Sequence, residues 1–295
     1  MASTAKIVAF PNPVRRAVLV VGDRSDVVKA FFESDFLSDE VTVEYCGQHA
    51  MAADLLTQRP YDLVVSCGED EITDDIEIYQ RIQSVAVRPF KVIIIAPPAT
   101  PQELIEAMRA HVFSVFSIPF DRALLGDMVE LAINAPLWID GIFIVSAKPD
   151  WISLRVRCSR VTAERLLQFG REMKMDMNEE TRDGIMTAFR ELLLNAMEHG
   201  AKFDPNIRLD VGYVRTPRMV LYYLRDPGMG FDLSTADCAV NSPEEDPLRH
   251  MAVRLEKGLR AGGFGIQLAR QLMDDLVYND IGNEVLITKY LPQGS

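Results

Sequence analysis

The sequence predicts two domains of different class: an α/β domain built on a doubly wound five-stranded parallel sheet, followed by an α+β sandwich. Three observations carry this. Between residues 17 and 140, five short aliphatic and β-branched runs alternate with helix-forming stretches, the pattern of a parallel sheet covered on both faces. Beyond residue 142 the alternation stops, and strands and helices come in separate groups. The chain has 295 residues, enough for two domains of ordinary size.

In the first domain, Ala17–Val21 is an apolar run that turns at Gly22-Asp23, and Asp26–Glu33 has helical character. Val41–Tyr45 reads as a strand and Ala50–Thr57 as a helix. Leu63–Cys67 is the third strand, and the acidic stretch Glu69–Glu77 reads as a loop. Val92–Ala96 is β-branched and stops at Pro97-Pro98. Pro101–Ala110 follows as a helix with proline in its first turn. Val112–Ile118 is the fifth strand, and Leu124–Ile133 the closing helix. After a break at Pro136–Pro149 come strands at Phe143–Val145 and Ser153–Cys158 and a helix at Thr162–Met173. Then come a helix at Thr181–Gly200, strands at Leu209–Tyr213 and Val220–Tyr223, a helix at Gly265–Leu276 and a strand at Val285–Tyr290. The expected boundaries are a tail at 1–14, a first domain at 15–137 and a second at 142–295.

Nearly half of the residues are apolar and a quarter charged, as in globular proteins, with a net charge of −12. Residues 1–140 hold 11 Lys and Arg against 21 Asp and Glu; residues 141–295 are nearly balanced at 20 against 22. No basic stripe appears, which argues against nucleic acid or an anionic membrane as partner. The four cysteines, Cys46, Cys67, Cys158 and Cys238, have no metal-type spacing and read as reduced thiols. There is neither a secretory apolar core nor a membrane-length apolar run, so a cytoplasmic protein is expected.

The most informative stretch is 189–200, Phe-Arg-Glu-Leu-Leu-Leu-Asn-Ala-Met-Glu-His-Gly. On a helix, Glu191, Asn195 and His199 lie four apart along one face, while Leu192, Leu193, Ala196 and Met197 cover the other. An amide oxygen suits Mg²⁺, and a carboxylate one turn away can take a proton. A solvated polar helix face explains the same row when it is taken alone.

Two glycine motifs follow. Asp226-Pro-Gly228-Met-Gly230-Phe-Asp232 comes directly after a strand. Its carboxylate can accept from an exocyclic amine, and its glycines permit close backbone approach; a plain glycine-rich turn is the alternative. Arg260-Ala-Gly262-Gly263-Phe-Gly265-Ile266 opens a helix and suits phosphate binding at a helix N-terminus, or else is a flexible connector. Between them, residues 233–259 read as a lid with Arg249, Arg254 and Lys257, or as a solvated charged segment.

In this order the motifs resemble the GHKL ATP-binding fold: Glu191 and Asn195, Asp226-x-Gly-x-Gly, Gly263-x-Gly265, then a helix and an edge strand. Phe231-Asp232, residues 265–276 and Asn283-Glu-Val-Leu-Ile-Thr-Lys-Tyr-Leu are similar to the anti-sigma-factor serine kinase family, over residues 142–292. The resemblance implies that Glu191 is the general base, Asn195 the Mg²⁺ ligand and Asp226 the adenine-reading carboxylate. Gly228 and Gly230 would shape the adenine pocket, and Gly262, Gly263, Gly265 and Ile266 the phosphate loop. The implied activity is ATP- and Mg²⁺-dependent phosphorylation of a serine or threonine on a STAS-like anti-anti-sigma protein. Partner switching on a sigma factor would follow, with homodimerisation possible in principle. The alternatives are a non-catalytic ATP-gated binding module or a slow GHKL ATPase. His49, His111, His199 and His250 lie on no phosphoacceptor hairpin, so histidine autophosphorylation is not expected.

The first domain resembles a two-component receiver, through Tyr61-Asp-Leu-Val-Val and Phe116-Ser-Ile-Pro-Phe120; an unrelated flavodoxin-like domain is the alternative. Its chemistry departs from the family. The acidic pair reads Gly22-Asp23, the phosphoacceptor position is Cys67, the hydroxyl position is Ala96 and the lysine position is Ile118. The expectation is a pseudo-receiver that is not phosphorylated and that serves docking or dimerisation through the helix 101–110 and strand 112–118.

Overall fold

A computed structural model describes residues 16–22, 31, 40–68, 72–136, 141–173, 177–230 and 265–291. The chain divides into two compact units, residues 1–99 with 112–138 and residues 100–111 with 139–295. Each is taken by itself.

The first unit is built on a five-stranded, all-parallel sheet of strands β1 (Arg16–Val21), β2 (Val41–Cys46), β3 (Leu63–Cys67), β4 (Lys91–Ala96) and β5 (Ser114–Ser117), in the order β2-β1-β3-β4-β5. That order is doubly wound, with its switch point between β1 and β3. Register sets Val18 against Val43 and Leu63, Val65 against Ile93, and Ile95 against Phe116. Val18 to Val21, Leu63 to Val65 and Ile93 to Ile95 are all buried, which explains why these strands are apolar throughout rather than alternating. Each such side chain contributes roughly 1.5–3 kcal/mol by burial.

Helices α1 (His49–Gln58), α2 (Ile72–Gln83) and α4 (Arg122–Asn134) accompany the sheet. Helix α2 corrects the expected loop over Glu69–Glu77. Ile72, Ile76, Tyr79 and Ile82 are buried at helical spacing, while Asp74 and Glu77 face solvent. Local acidity suggested a loop, but Asp74 and Asp75 stand in a first turn, where the helix dipole favours them. The helix expected at Asp26–Glu33 lies outside the described residues apart from Phe31, which is buried.

Helix α3 (Pro101–Arg109) groups with the second unit. Thr100 and Glu103 form a capping box at its start, and Pro101 occupies the first turn as expected.

The rest of the second unit is a six-stranded sheet in the order β10-β11-β9-β8-β7-β6, with every pairing antiparallel. Its strands are β6 (Ile142–Lys148), β7 (Trp151–Arg157), β8 (Arg208–Thr216), β9 (Met219–Arg225), β10 (Asp275–Tyr278) and β11 (Glu284–Tyr290). Helices α5 (Arg160–Glu172), α6 (Glu179–Asn195) and α7 (Gly265–Leu272) accompany it. Alternation along the strands buries Leu154, Val156, Leu209, Val211, Tyr222 and Leu224, with Phe169, Ile185 and Phe189 from the helices completing the core. The Phe189 and Tyr222 rings lie 4.5 Å apart.

Two expectations are corrected here. The helix predicted for Gly265–Leu276 ends at Leu272, and Asp275–Tyr278 forms strand β10. Leu276-Val277-Tyr278 suits a pleated surface, and pairing with β11 decides the matter. As a result β11 is an interior strand, and β10 is the edge.

Candidate functional site

Helix α6 begins at Asn178, whose side chain accepts a hydrogen bond from Thr181 N at 2.8 Å, and Glu179 and Glu180 occupy its first turn. It runs as an α-helix only to Asn195; Ala196–Gly200 is a π turn. The wider turn carries His199 off the line expected of a straight helix, and its side chain is exposed. Glu191 and Asn195 remain half-buried. Leu192, Leu193 and Met197 are buried as their spacing predicted, together with Leu194, whereas Ala196 is only partly covered.

The start of α7 meets this face. A Cβ built on Gly265 would stand 2.7 Å from Glu191 Oε2 and 3.5 Å from Asn195 Nδ2, so the position accommodates little beyond glycine without moving the carboxylate. The positive end of the α7 dipole therefore lies beside a carboxylate and an amide. Ile266 is half-buried in the first turn of α7. Glu191 also has an ion pair with Arg190 at 3.6 Å, and Arg190 reaches Glu164 at 3.8 Å. Gly262, Gly263 and the expected lid over 233–259 lie outside the described residues.

Asp226 follows β9, at the other side of the same helix end. Its Oδ1 accepts from Gly228 N at 2.8 Å. Burial raises its pKa above the ordinary value, against the opposing effect of that backbone N–H. Gly200, the last residue of the π turn, is packed so closely that a Cβ there would fall on the Asp226 carboxylate. A Cβ on Gly228 would likewise lie 2.6 Å from Asp226 Oδ1 and 2.9 Å from Gly200 Cα. Gly230 has φ +73°, and a Cβ there would fall on the Ile281 carbonyl oxygen. The fold thus brings Glu191, Asn195 and Gly265 together in one cluster, and Gly200, Asp226 and Gly228 in a second, joined by helix α6 and its π turn.

Asn283 is a positioning residue that sequence reasoning left out. Its side-chain amide donates to the carbonyls of Asp226 (3.1 Å) and Gly228 (3.3 Å), and its own carbonyl accepts from Asp226 N at 3.0 Å. Its side chain is in turn held by Asn279 at 2.9 Å. The paired asparagines four apart before a strand were the available signal.

In the first unit, the end of β3 presents Cys67, which is buried. Desolvation, with Asp75 adding to it, pushes its thiol up to about 12. Gly22, with φ +120°, sits so close to β3 that a Cβ would fall on the Cys67 carbonyl oxygen. On the neighbouring residue, Ser66 donates to Asp75 Oδ2 (3.0 Å) and accepts from Tyr79 OH (3.2 Å); His49 Nε2 lies 2.7 Å from Asp75. The Asp75 contact raises the His49 pKa. Cys46, Cys67 and Cys158 are free and buried. Among the described residues, no group of three or more His, Cys, Asp or Glu is placed to hold a metal ion, and no helix is long and apolar enough to cross a membrane.

Known proteins resemble each of the two units. Residues 159–289 match the model of the histidine kinase-like ATPase domain. The serine-protein kinase RsbW of Oceanobacillus iheyensis is 26% identical over 150 residues, half of this chain and 85% of that protein. Among solved structures, the pilus assembly protein CpaE of Caulobacter crescentus is 17% identical over 39% of this chain and 91% of its own, with a TM-score of 0.34. A Francisella response regulator receiver domain is 19% identical over 40% of this chain and 96% of its own, also at 0.34. The β2-β1-β3-β4-β5 order of the first unit is the doubly wound order that receivers share with flavodoxin-like domains. The matched region holds the helix, both glycine motifs and the strand that carry Glu191, Asn195, Asp226 and Gly265, and residues 159–289 are similar to a histidine kinase-like ATPase domain, with a GHKL-like fold.

Proposed function

We propose that the chain is an ATP-dependent serine/threonine protein kinase of the anti-sigma-factor type. The observation that carries this reading is the meeting of Gly265 with Glu191 Oε2 and Asn195 Nδ2. It puts a helix N-terminus, a carboxylate and an amide in one place, groups suited to phosphate, a proton and a metal ion. The donor set fits Mg·ATP: Asn195 offers an amide oxygen to a hard cation, and Gly265 leaves open the space that a Cβ would fill. Bound there, Mg²⁺ would neutralise charge on the transferring phosphoryl group.

The chain's own residues do the rest. Asp226 accepts the adenine amine, with its carboxylate oriented by Gly228 N–H and its backbone held by Asn283. Gly228 and Gly230 let the backbone approach the flat base. Free N–H groups at the start of α7 take phosphate oxygens, Gly262 and Gly263 extending that loop. Glu191 takes the proton of the acceptor hydroxyl. The acceptor is a serine or threonine of a STAS-like anti-anti-sigma protein, and exchange of that partner controls a sigma factor in the cytoplasm.

In this reading the first unit is a pseudo-receiver. A buried thiol with a pKa near 12 neither forms an acyl phosphate nor helps to hold Mg²⁺. Its role is docking or dimerisation.

The kinase is tested with radiolabelled ATP and candidate partner proteins. Glu191→Ala should lower transfer by about 10²–10⁴-fold, the usual weight of a general base. Asn195→Ala should abolish Mg·ATP binding in calorimetry. Undiminished transfer by Glu191→Ala would remove that residue from the base role. The Arg190–Glu191 ion pair supports a second reading, an ATP-gated binding module without turnover. That module gives nucleotide-dependent partner binding with no transfer to any protein.

A further inference from the structure

The sheet of the second unit has a second charged site on its other face. Leu154, Val156, Leu209, Val211 and Leu224 point into the core, so Arg155, Arg157, Arg208, Asp210 and Arg225 point away from it by strand alternation. Register sets these residues in rows. Arg155 lies opposite both Phe143 and Asp210, Arg225 lies opposite both Asp210 and Glu284, and Arg157 lies opposite Arg208. At this end of the sheet Arg155, Arg208, Asp210 and Arg225 line a cleft of about 460 Å³ that Pro227 and Asn283 close; Arg157, opposite Arg208, stands outside its lining. Asp226 borders the cleft, but its carboxylate is engaged by Gly228 N–H and packed against Gly200.

The charges do not balance. Arg155 Nε takes Asp210 at 2.9 Å, and Arg225 Nε takes Glu284 at 3.1 Å, which pairs two of the three nearby carboxylates; the third, Asp226, accepts from Gly228 N–H. Arg208 lies over the Phe143 ring at 4.4 Å, and among the described residues no carboxylate comes within ion-pair distance of it. Arg157 stands near the same ring at 6.0 Å and donates from Nη1 to Pro205 O, while among the described residues its buried Nε has no acceptor. Two guanidiniums directly opposite on adjacent strands repel each other, and here that repulsion is left uncompensated in a chain of net charge −12.

We infer that this cleft binds an Asp/Glu-rich segment of a protein partner. A guanidinium fork matches a carboxylate bidentately, and stacking on Phe143 fixes the plane of Arg208 before binding. Arg208 supplies the cleft's unpaired guanidinium, Arg157 opposite it adds charge from outside the lining, and Arg155 and Arg225 flank it. The guanidiniums lie on the sheet face opposite the Glu191–Gly265 cluster, while Asp226 and Asn283 border both the cleft and the proposed adenine site, so the test leaves nucleotide out and reads peptide binding alone.

The test uses the full chain without nucleotide and a fluorescein-labelled heptaglutamate peptide, followed by anisotropy at low ionic strength. Saturable binding is expected, with none for heptaglutamine. Arg208→Gln should weaken it about tenfold, the loss of one charge-assisted pair of about 1.4 kcal/mol. Arg208→Lys should recover only part, because the charge returns without the fork. Arg218→Gln, in the turn between β8 and β9, removes the same charge and should leave the affinity within about twofold. Circular dichroism and melting temperature check that each variant folds; Arg157→Gln replaces Arg208→Gln if the latter does not. An absence of saturable binding overturns the inference. So does an equal loss in Arg218→Gln, which would mean net charge alone, or tighter binding of a single-stranded oligonucleotide than of heptaglutamate.

Discussion

The end of strand β3 in the first unit and the end of helix α6 in the second each bring a glycine against a residue at a position where the family resemblances expect phosphoryl chemistry. They differ in what surrounds that residue. At β3, Cys67 is sealed, with Gly22 on one side and a buried Ser66–Asp75–Tyr79 network on the adjoining residue. Desolvation holds the thiol neutral. At α6, Glu191 and Asn195 are only half-buried and face the start of α7 across Gly265. A parallel sheet can keep its strand order on apolar runs alone, whatever occupies its strand ends, whereas a nucleotide site needs particular polar groups at particular openings. One site is a fold without reactive groups; the other has groups held open by the fold.

The largest effect that would break this contrast is in the core behind α6. Phe189→Ala removes a ring stacked on Tyr222 and should destabilise the second unit by about 3–5 kcal/mol. Chemical denaturation measures it, and a loss below about 1 kcal/mol would show that the helix is not fixed by that packing. Next is Gly265→Ala. The new Cβ meets the free end of Glu191, which can swing away, so stability should change by less than about 1 kcal/mol. Phosphoryl transfer should still fall several-fold, because the carboxylate is displaced. Equal losses of stability and transfer would mean that Gly265 serves the fold rather than the site.

The third prediction concerns pH. Burial raises the Asp226 pKa, so the folded chain binds that proton more tightly than the unfolded chain. Stability without nucleotide therefore gains as the pH falls through the raised value. Adenine recognition needs the carboxylate, so ATP affinity should fall over the same window. Calorimetry across mildly acidic pH would show it, and an identical profile for Asp226→Asn would take this residue out of adenine recognition. The smallest expected effect is none: acetyl phosphate should leave residues 1–135 unlabelled. Labelling there would give the first unit the chemistry that its buried thiol denies.

The strands of the first unit were legible because complete burial demands continuous Val, Ile and Leu. Glu191, Asn195, Asp226 and Gly265 were legible as residues because a carboxylate, an amide and glycines at fixed spacings are uncommon together. Their meeting was an expectation from order along the chain, and it became a matter of distance only once α7 was seen against α6. Helix α2 was missed because its acidic first turn masked the spacing of Ile72, Ile76, Tyr79 and Ile82. Strand β10 was missed because Asp275–Tyr278 is short and follows a helix without a glycine stop, so only pairing with β11 identifies it.

By itself the sequence determined the class of each domain, through hydrophobic periodicity, and the list of candidate groups, through side-chain chemistry. Tertiary structure decided the π turn at Ala196–Gly200, which turns His199 outward and packs Gly200 against Asp226. It also decided the hold of Asn283 on the Asp226 loop and the grouping of the guanidiniums on the outer sheet face. These depend on register and on contacts between residues far apart in the chain, such as Arg208 and Phe143 across the sheet. Local spacing carries no record of such contacts.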